Sequence, residues 1–167
     1  RPLFPRTRQV RLQEDDWNVM VALEAFRQAD GELDCIHEEQ LSQGLLGQYK
    51  TRVLFDIHLL KRKDAETIRE WVNAGGRLVA DEVPSLDESK QALGVFEPVF
   101  GVSGSAQVVE GAIDLPGTQA KLWGRRSYEK AGAMPIGPAE GGFAPLLGNS
   151  SGAGQAFLLN FPVKDCY

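Results

Sequence analysis

From residue 17 to residue 83, the chain alternates between stretches with the apolar spacing of a helix and short apolar runs typical of strands. The first stretch, Trp17–Ala29, places apolar side chains at positions 19, 23 and 26, which predicts an amphipathic helix. The runs Leu33–His37 and Val53–Phe55 predict strands, the second of them covered on both faces. Helices and strands that alternate in this way are typical of a parallel sheet with crossover helices.

The clearest predicted element lies between Asp64 and the glycine pair Gly75-Gly76. Asp64 can cap the first turn of a helix, and the two glycines can end it. The apolar side chains between them recur on one stripe, formed by Ala65, Ile68, Trp71 and Val72. We therefore predict that this stripe faces the sheet and that Gly75 adopts a left-handed conformation. The next strand is predicted at Leu78–Ala80.

The pattern is less regular beyond residue 83. A further helix is predicted at Ser85–Leu93, and a packed connection follows at Val95–Val102. From residue 106 onward, short runs with β character alternate with glycines; they are Gln107–Val109, Ala120–Trp123, Phe143–Leu147 and Gln155–Phe161. The last two flank the turn-rich segment Gly148–Gly154, so we predict that they pair as a hairpin.

The length of 167 residues is enough for one domain with a single core. We divide the chain into an N-terminal arm or loop, residues 1–16, and a single α/β domain, residues 17–167, which we expect to be a fragment of a larger multidomain protein. The net charge of −5 argues against a non-specific nucleic-acid binder and against a polybasic membrane-surface module. No apolar run approaches the ~20 residues that span a bilayer.

Several segments together carry a resemblance: Tyr49-Lys50, Ile68–Asp81, Phe100-Gly101-Val102 and Gly152–Phe161. In the second of them a helix ends in a glycine pair and leads directly into a strand, and in the last a glycine turn leads into another strand. Taken in this order, they resemble the trimerisation domain of β-galactosidases and related proteins.

The resemblance implies a flavodoxin-like α/β fold related to class I glutamine amidotransferases, with a mostly parallel sheet, helices on both faces and additional short strands in the C-terminal part. It also implies a domain without a catalytic role, beside a barrel domain that holds the glycosidase carboxylates, that helps to assemble the oligomer. Members of the family normally begin with a strand before the first helix. Either Val10–Leu12 supplies that strand, or the sheet is incomplete in this chain.

The sequence contains no self-sufficient catalytic site. An amidotransferase or hydrolase needs a nucleophile on a sharp turn after a strand, and the corresponding turn, Asp81–Ser85, has no cysteine and no glycine-flanked serine. Cys35 falls inside an earlier predicted strand. Glycoside hydrolysis needs two carboxylates that flank one bond, whereas Asp81 and Glu82 are neighbours whose side chains point to opposite faces of a strand. We therefore predict no catalytic residue, no metal site and no cofactor.

Polar side chains follow three successive predicted strands: His37 ends the first, Asp56 and His58 follow the second, and Asp81 and Glu82 follow the third. Ligands of open parallel sheets bind beyond the carboxyl ends of the strands. Imidazole and carboxylate groups are also able to hold a metal ion or to transfer protons. These five residues are therefore the candidate ligand-binding residues. The simpler interpretation is that polar side chains gather wherever strands end at solvent.

A second candidate is Trp123–Tyr128, which interleaves aromatic and basic side chains. Such a segment is compatible with stacking on a sugar and binding of acidic groups, and equally with a solvated loop beside a packed tryptophan. Two functions stay open. The first is a non-catalytic structural or assembly domain of a β-galactosidase-like or other carbohydrate-active protein, whose partners are the sister domains of its parent chain and identical subunits. The alternative is a small-molecule or metal-binding α/β module that uses the strand-end residues.

Overall fold

The structure is a computed structural model that describes Glu24 and residues 34–114, 121–139 and 143–163. Glu24 is helical and exposed. Three predictions fall outside these ranges: the boundary after residue 16, the candidate strand Val10–Leu12 and, except for Glu24, the helix Trp17–Ala29.

Apart from Glu24, the described residues form three α-helices, one 3-10 helix and seven strands. The helices are α1 (Glu38–Leu41), α2 (Arg62–Asn73) and α3 (Glu97–Phe100), and the 3-10 helix is Leu45–Gln48. The strands are β1 (Thr51–Leu54), β2 (Arg77–Ala80), β3 (Val102–Asp114), β4 (Lys121–Lys130), β5 (Met134–Ile136), β6 (Leu146–Ser151) and β7 (Gly154–Leu159).

The main sheet has the strand order β1-β2-β7-β6-β5. Strands β1, β2 and β7 run parallel, whereas β6 and β5 continue the sheet in antiparallel fashion. The protein is thus an α/β fold with parallel strand pairs, as the alternation of elements predicts. Two of the four strand pairs described in the main sheet are antiparallel, so this sheet is mixed rather than mostly parallel. The tight turn between β6 and β7 explains the difference, because only antiparallel strands can be joined directly.

One face of the main sheet carries the core. Leu78, Ala156 and Leu158 lie on this face and are almost completely buried. Helix α2 packs on it, and its Ile68 and Val72 are both 0% exposed. The prediction that this stripe faces the sheet is confirmed. Burying a side chain of this size removes it from water at a gain of about 1.5–3 kcal/mol, which fixes the orientation of the helix.

Helix α3 covers the same face farther along the sheet. Asn149 on β6 is paired with Ala156, so both side chains point to the core face. The Asn149 amide Nδ2 donates hydrogen bonds to the carbonyl oxygens of Pro98 (3.2 Å) and Val99 (2.9 Å) in α3. Both α2 and α3 therefore lie on one face, and a helix layer on the opposite face remains a prediction.

The start of α2 differs from the predicted one, whereas its end agrees with the prediction. The helix begins at Arg62, two residues before the predicted cap Asp64, which is buried within the first turn. At its other end Gly75 has φ 119°, a positive angle that confirms the need for glycine there. A side chain at Gly76 would overlap the ring of Trp71. The glycine pair is thus required by backbone conformation at one position and by close packing at the next.

The β6–β7 hairpin is confirmed, with a tighter turn than the sequence predicts. Gly152, with φ 60°, and Ala153 separate the two strands. The N–H of Ala153 donates to the carbonyl oxygen of Asn73 at the end of α2 (2.9 Å). A Cβ atom at Gly154 would overlap the carbonyl oxygen of Val72. The turn therefore packs directly on the helix end and satisfies one of its free carbonyl groups.

The predicted strand Leu33–His37 is wrong over its described part. Residues 34–37 have no regular structure, and α1 begins at the next residue. The Gln40 side chain accepts the N–H of His37 (2.8 Å), an arrangement typical of a helix start. A signal for a helix start therefore outweighs a short apolar run. Cys35 is exposed in this segment and lies in no strand.

The predicted helix Ser85–Leu93 is also wrong, because Asp87 organises this segment as turns. Asp87 Oδ1 accepts the N–H groups of Ser89 and Gln91 at 2.9 Å each. The Arg62 guanidinium contacts Asp87 Oδ2 at 2.8 Å and the carbonyl oxygen of Leu93 at 2.9 Å. Hydrogen bonding to the Gln91 backbone and then to Arg62 lowers the pKa of Asp87. An aspartate that binds nearby backbone donors competes with helix formation.

The opposite face of the main sheet carries Val79, Phe157 and Leu159, all half-buried. Leu159 packs against a second, smaller cluster formed by Leu122, Phe143 and Phe161. Strands β3 and β4 form a separate antiparallel hairpin. Leu122 near one end of β4 belongs to the small cluster, whereas Tyr128 near its other end belongs to the main core. The hairpin therefore contributes side chains to both clusters.

Candidate functional site

The carboxyl ends of β1, β2 and β7 lie at one edge of the main sheet, here called the carboxyl edge. Asp81 follows β2 directly and is only 2% exposed. Its Oδ1 accepts the N–H of Asp56 (2.8 Å), and its Oδ2 accepts the N–H of Val163 (3.1 Å). Both carboxylate oxygens thus satisfy backbone donors, as a buried charge requires. Asp81 ties the loop after β1 and the segment after β7 to the end of β2.

The loop after β1 brings His58 back over this edge. Asp56 has φ 56°, a left-handed conformation that aspartate tolerates better than most side chains. The His58 ring then lies between two carboxylates: its Nδ1 is 2.9 Å from Oε1 of Glu82, and its Nε2 is 3.6 Å from Oδ1 of Asp56. The His58 side chain is 55% exposed, so it is the accessible member of this group.

Arg126 from β4 reaches the same place from the hairpin. Its Nη2 lies 2.8 Å from Oε2 of Glu82, and its Nη1 donates to the carbonyl oxygen of Asp81 (2.8 Å). The contact with Glu82 has the distance of an ion pair without the alignment of a hydrogen bond. The side chains are 11% and 18% exposed, so water screens this pair much less than a surface pair. Arg126 therefore fixes β4 to the end of β2.

Tyr128, two residues farther along β4, points to the same face as Arg126. Its hydroxyl accepts the N–H of Val83 (3.2 Å) just beyond the carboxyl edge. Burial raises the pKa of Tyr128, and the charge of nearby Glu82 acts in the same direction against the opposing hydrogen bond from Val83. The phenol is thus a neutral group that satisfies a buried backbone donor.

Asn160, directly after β7, completes the attachment of the hairpin. Its backbone carbonyl accepts the N–H of Arg126 (2.6 Å), and its side-chain amide donates to the carbonyl of Ala144 (2.7 Å). Strand β4 is consequently bonded to the segments that follow both β2 and β7. It crosses the carboxyl edge at the place where ligands of open α/β sheets usually bind.

The polar groups of this edge hold loops together. Asp81 is committed to backbone N–H groups, and Glu82 is neutralised by Arg126 and adjoins His58. Within the described ranges, no group of three or more histidine, cysteine or carboxylate side chains is arranged to hold a metal ion. The arrangement is able to hold the ends of three parallel strands together. Among the four residues Asp56, His58, Asp81 and Glu82, His58 has the most exposed side chain.

Four of the five candidate residues, Asp56, His58, Asp81 and Glu82, meet at the carboxyl edge. The fifth, His37, precedes α1, where its N–H is bonded to the Gln40 side chain. In the part of the chain that the structure describes, no ion pair or hydrogen bond links His37 to the other four. His37 is separated from them because the predicted strand that would have brought it to this edge does not form.

Arg126 and Tyr128 belong to the second candidate segment, Trp123–Tyr128, which was considered for sugar binding and not for contact with the strand ends, and Asn160 was not a candidate residue. The segment Trp123–Tyr128 lies in β4 and is not a loop. The alternation of Leu122, Gly124, Arg126 and Tyr128 places them on one face of a strand, and all but the arginine are classed as buried. This two-residue period is the feature of the sequence that could have identified the segment as a strand with one buried face. Nothing in the sequence identifies which distant strand this face covers.

No protein-family model and no curated protein matches the sequence. Among solved structures, the fold is similar to Gan42B, a GH42 β-galactosidase from G. stearothermophilus, with TM-score 0.72 and 18% identity over 94% of this chain and 25% of that one. An exo-β-1,4-mannosidase from Opitutaceae bacterium strain TAV5 has TM-score 0.67 and 15% identity over 90% of this chain and 27% of its own. A cytoplasmic protein from Salmonella typhimurium has TM-score 0.59 and 17% identity over 84% of this chain and 74% of its own.

The chain thus spans about a quarter of the β-galactosidase and mannosidase chains and about three quarters of the Salmonella protein. At these identities, the similarity shows a shared fold. This fold occurs as one part of larger glycosidases and also as most of a smaller protein. Separately, no helix in the described ranges is long and apolar enough to cross a membrane.

Proposed function

We propose that this chain is a non-catalytic structural and assembly domain of a larger, β-galactosidase-like protein that acts on carbohydrates. The observation that carries the proposal is the closed carboxyl edge. The place where an open α/β sheet would bind a ligand is crossed by β4, whose Arg126 and Tyr128 contact Asp81, Glu82 and Val83. Polar side chains that an enzyme would present to a substrate bind this chain's own loops instead.

The fold comparison supports the larger context. A TM-score of 0.72 over a quarter of a GH42 β-galactosidase is expected for a domain that accompanies a catalytic domain. The match to a mannosidase, an enzyme named for a different sugar, favours a role that does not depend on the sugar. A domain that supports other domains needs a packed core, and the described residues form one.

We further propose that the domain is flavodoxin-like and related to class I glutamine amidotransferases, as the sequence resemblance implies. The parallel series β1-β2-β7, with α2 as the crossover between its first two strands, supports this assignment. The catalytic turn of an amidotransferase would follow β2. In this chain, that turn is Asp81–Ser85, without a cysteine, and Val83 there is held by Tyr128. Under this proposal, the chain shares the sheet of the amidotransferases and has no cysteine nucleophile at this turn.

The proposal is tested by assaying the purified chain for hydrolysis of an aryl β-galactoside and of glutamine. We expect no turnover of either compound above the uncatalysed rate. Turnover that is abolished in the Glu82→Gln or His58→Ala variant would contradict a structural role. The Asp114→Asn variant is the matched control, because Asp114 lies outside the carboxyl edge and its side chain is 83% exposed.

The second candidate function is a small-molecule or metal-binding module at the carboxyl edge. One observation favours it: the exposed His58 ring stands between the carboxylates of Asp56 and Glu82. A site of this kind would raise the melting temperature of the chain when its ligand is added, since binding to the folded state alone stabilises it. Thermal melting with and without zinc or manganese distinguishes the two functions.

A further inference from the structure

We draw no further inference here: the strongest candidate, the exposed apolar surface that Met134 and Ile136 form at the β5 end of the main sheet, carries none because nothing in the described part of the chain shows what covers it.

Discussion

The two edges of the main sheet hold their loops by different chemistry. At the opposite edge, where β2 and β7 begin and here called the amino edge, the β6–β7 turn packs on the end of α2 through backbone groups. The N–H of Ala153 is bonded to the carbonyl of Asn73, and there is no room for a side chain at Gly154. At the carboxyl edge, the side chains of Asp81 and Arg126 join three strand ends. The amino edge therefore depends on close packing, and the carboxyl edge depends on polar contacts. A substitution that adds side-chain volume should destabilise the amino edge, and one that removes a charged side chain should destabilise the carboxyl edge.

The largest expected effect is at the amino edge. The Gly154→Ala substitution places a Cβ atom against the backbone carbonyls of Val72 and Gly76, neither of which is a movable side chain. We expect a loss of more than about 3 kcal/mol in the free energy of unfolding, in the range of severe packing defects. Urea denaturation measures it. Gly47→Ala is the control, because nothing lies within 4 Å of its Cβ position, and a change beyond about 0.5 kcal/mol there would contradict the explanation.

The second expected effect is at the carboxyl edge. Asp81→Ala leaves the N–H groups of Asp56 and Val163 without their acceptor. A buried donor without a partner costs at least about 1 kcal/mol, so we expect a loss of at least about 2 kcal/mol for the two together. Asp114→Ala, at an aspartate whose side chain is 83% exposed, should change stability by less than about 0.5 kcal/mol. Equal effects of the two substitutions in urea denaturation would mean that the Asp81 carboxylate does not stabilise the carboxyl edge.

The amino edge was largely predictable from the sequence, because its chemistry is local. The helix stripe, the glycine pair after it and the β6–β7 hairpin each leave a signal within a few residues, and the structure confirms them. The errors at Leu33–His37 and Ser85–Leu93 have a local cause as well. In both segments, side chains of Gln40 or Asp87 bind backbone donors, and such bonds do not change the apolar pattern.

The carboxyl edge was predictable only in part. That Asp56, His58, Asp81 and Glu82 meet there follows from parallel strands whose carboxyl ends share an edge. Arg126 and Tyr128 come from β4, some 45 residues beyond Asp81 and Val83 in the chain. The sequence shows that they share a strand face, but not which surface that face covers. The hairpin is therefore the element that converts a predicted ligand site into a closed edge.

A smaller effect, with a pH dependence, is expected for Tyr128→Phe. The substitution removes the acceptor of the Val83 N–H and should cost about 1–2 kcal/mol at neutral pH. Because burial raises the pKa of Tyr128 above 10.0, the unfolded chain loses the phenolic proton first as the pH rises. The contribution of Tyr128 is therefore complete below about pH 10 and is lost as the pH rises through its folded pKa.

Urea denaturation of both proteins from neutral pH to above pH 10 measures this dependence. The chain without a substitution should lose stability more steeply than Tyr128→Phe in the alkaline range. The difference in the free energy of unfolding between the two proteins should therefore become smaller. A constant difference across that range would mean that the hydroxyl is not buried at this edge.

The smallest expected effect is that of His58→Ala. The imidazole is 55% exposed and lies on the outer side of the ion pair between Glu82 and Arg126. Its removal should change stability by no more than about 0.5–1 kcal/mol, as for an exposed ion pair. Thermal melting should show no zinc-dependent shift in either protein. A rise of several degrees with zinc that disappears in His58→Ala would instead favour the metal-binding module.

The most direct test of the closed carboxyl edge is native-state amide hydrogen exchange at Asp56, Val83 and Val163. These three N–H groups donate to Asp81 or Tyr128, so they should exchange slowly. Protection of the Asp56 and Val163 N–H groups should fall in Asp81→Ala. Protection of the Val83 N–H should fall in Tyr128→Phe. Exchange as fast as that of an exposed loop would contradict the account. Such a result would mean that the hairpin does not close this edge, and that the site is open to a ligand.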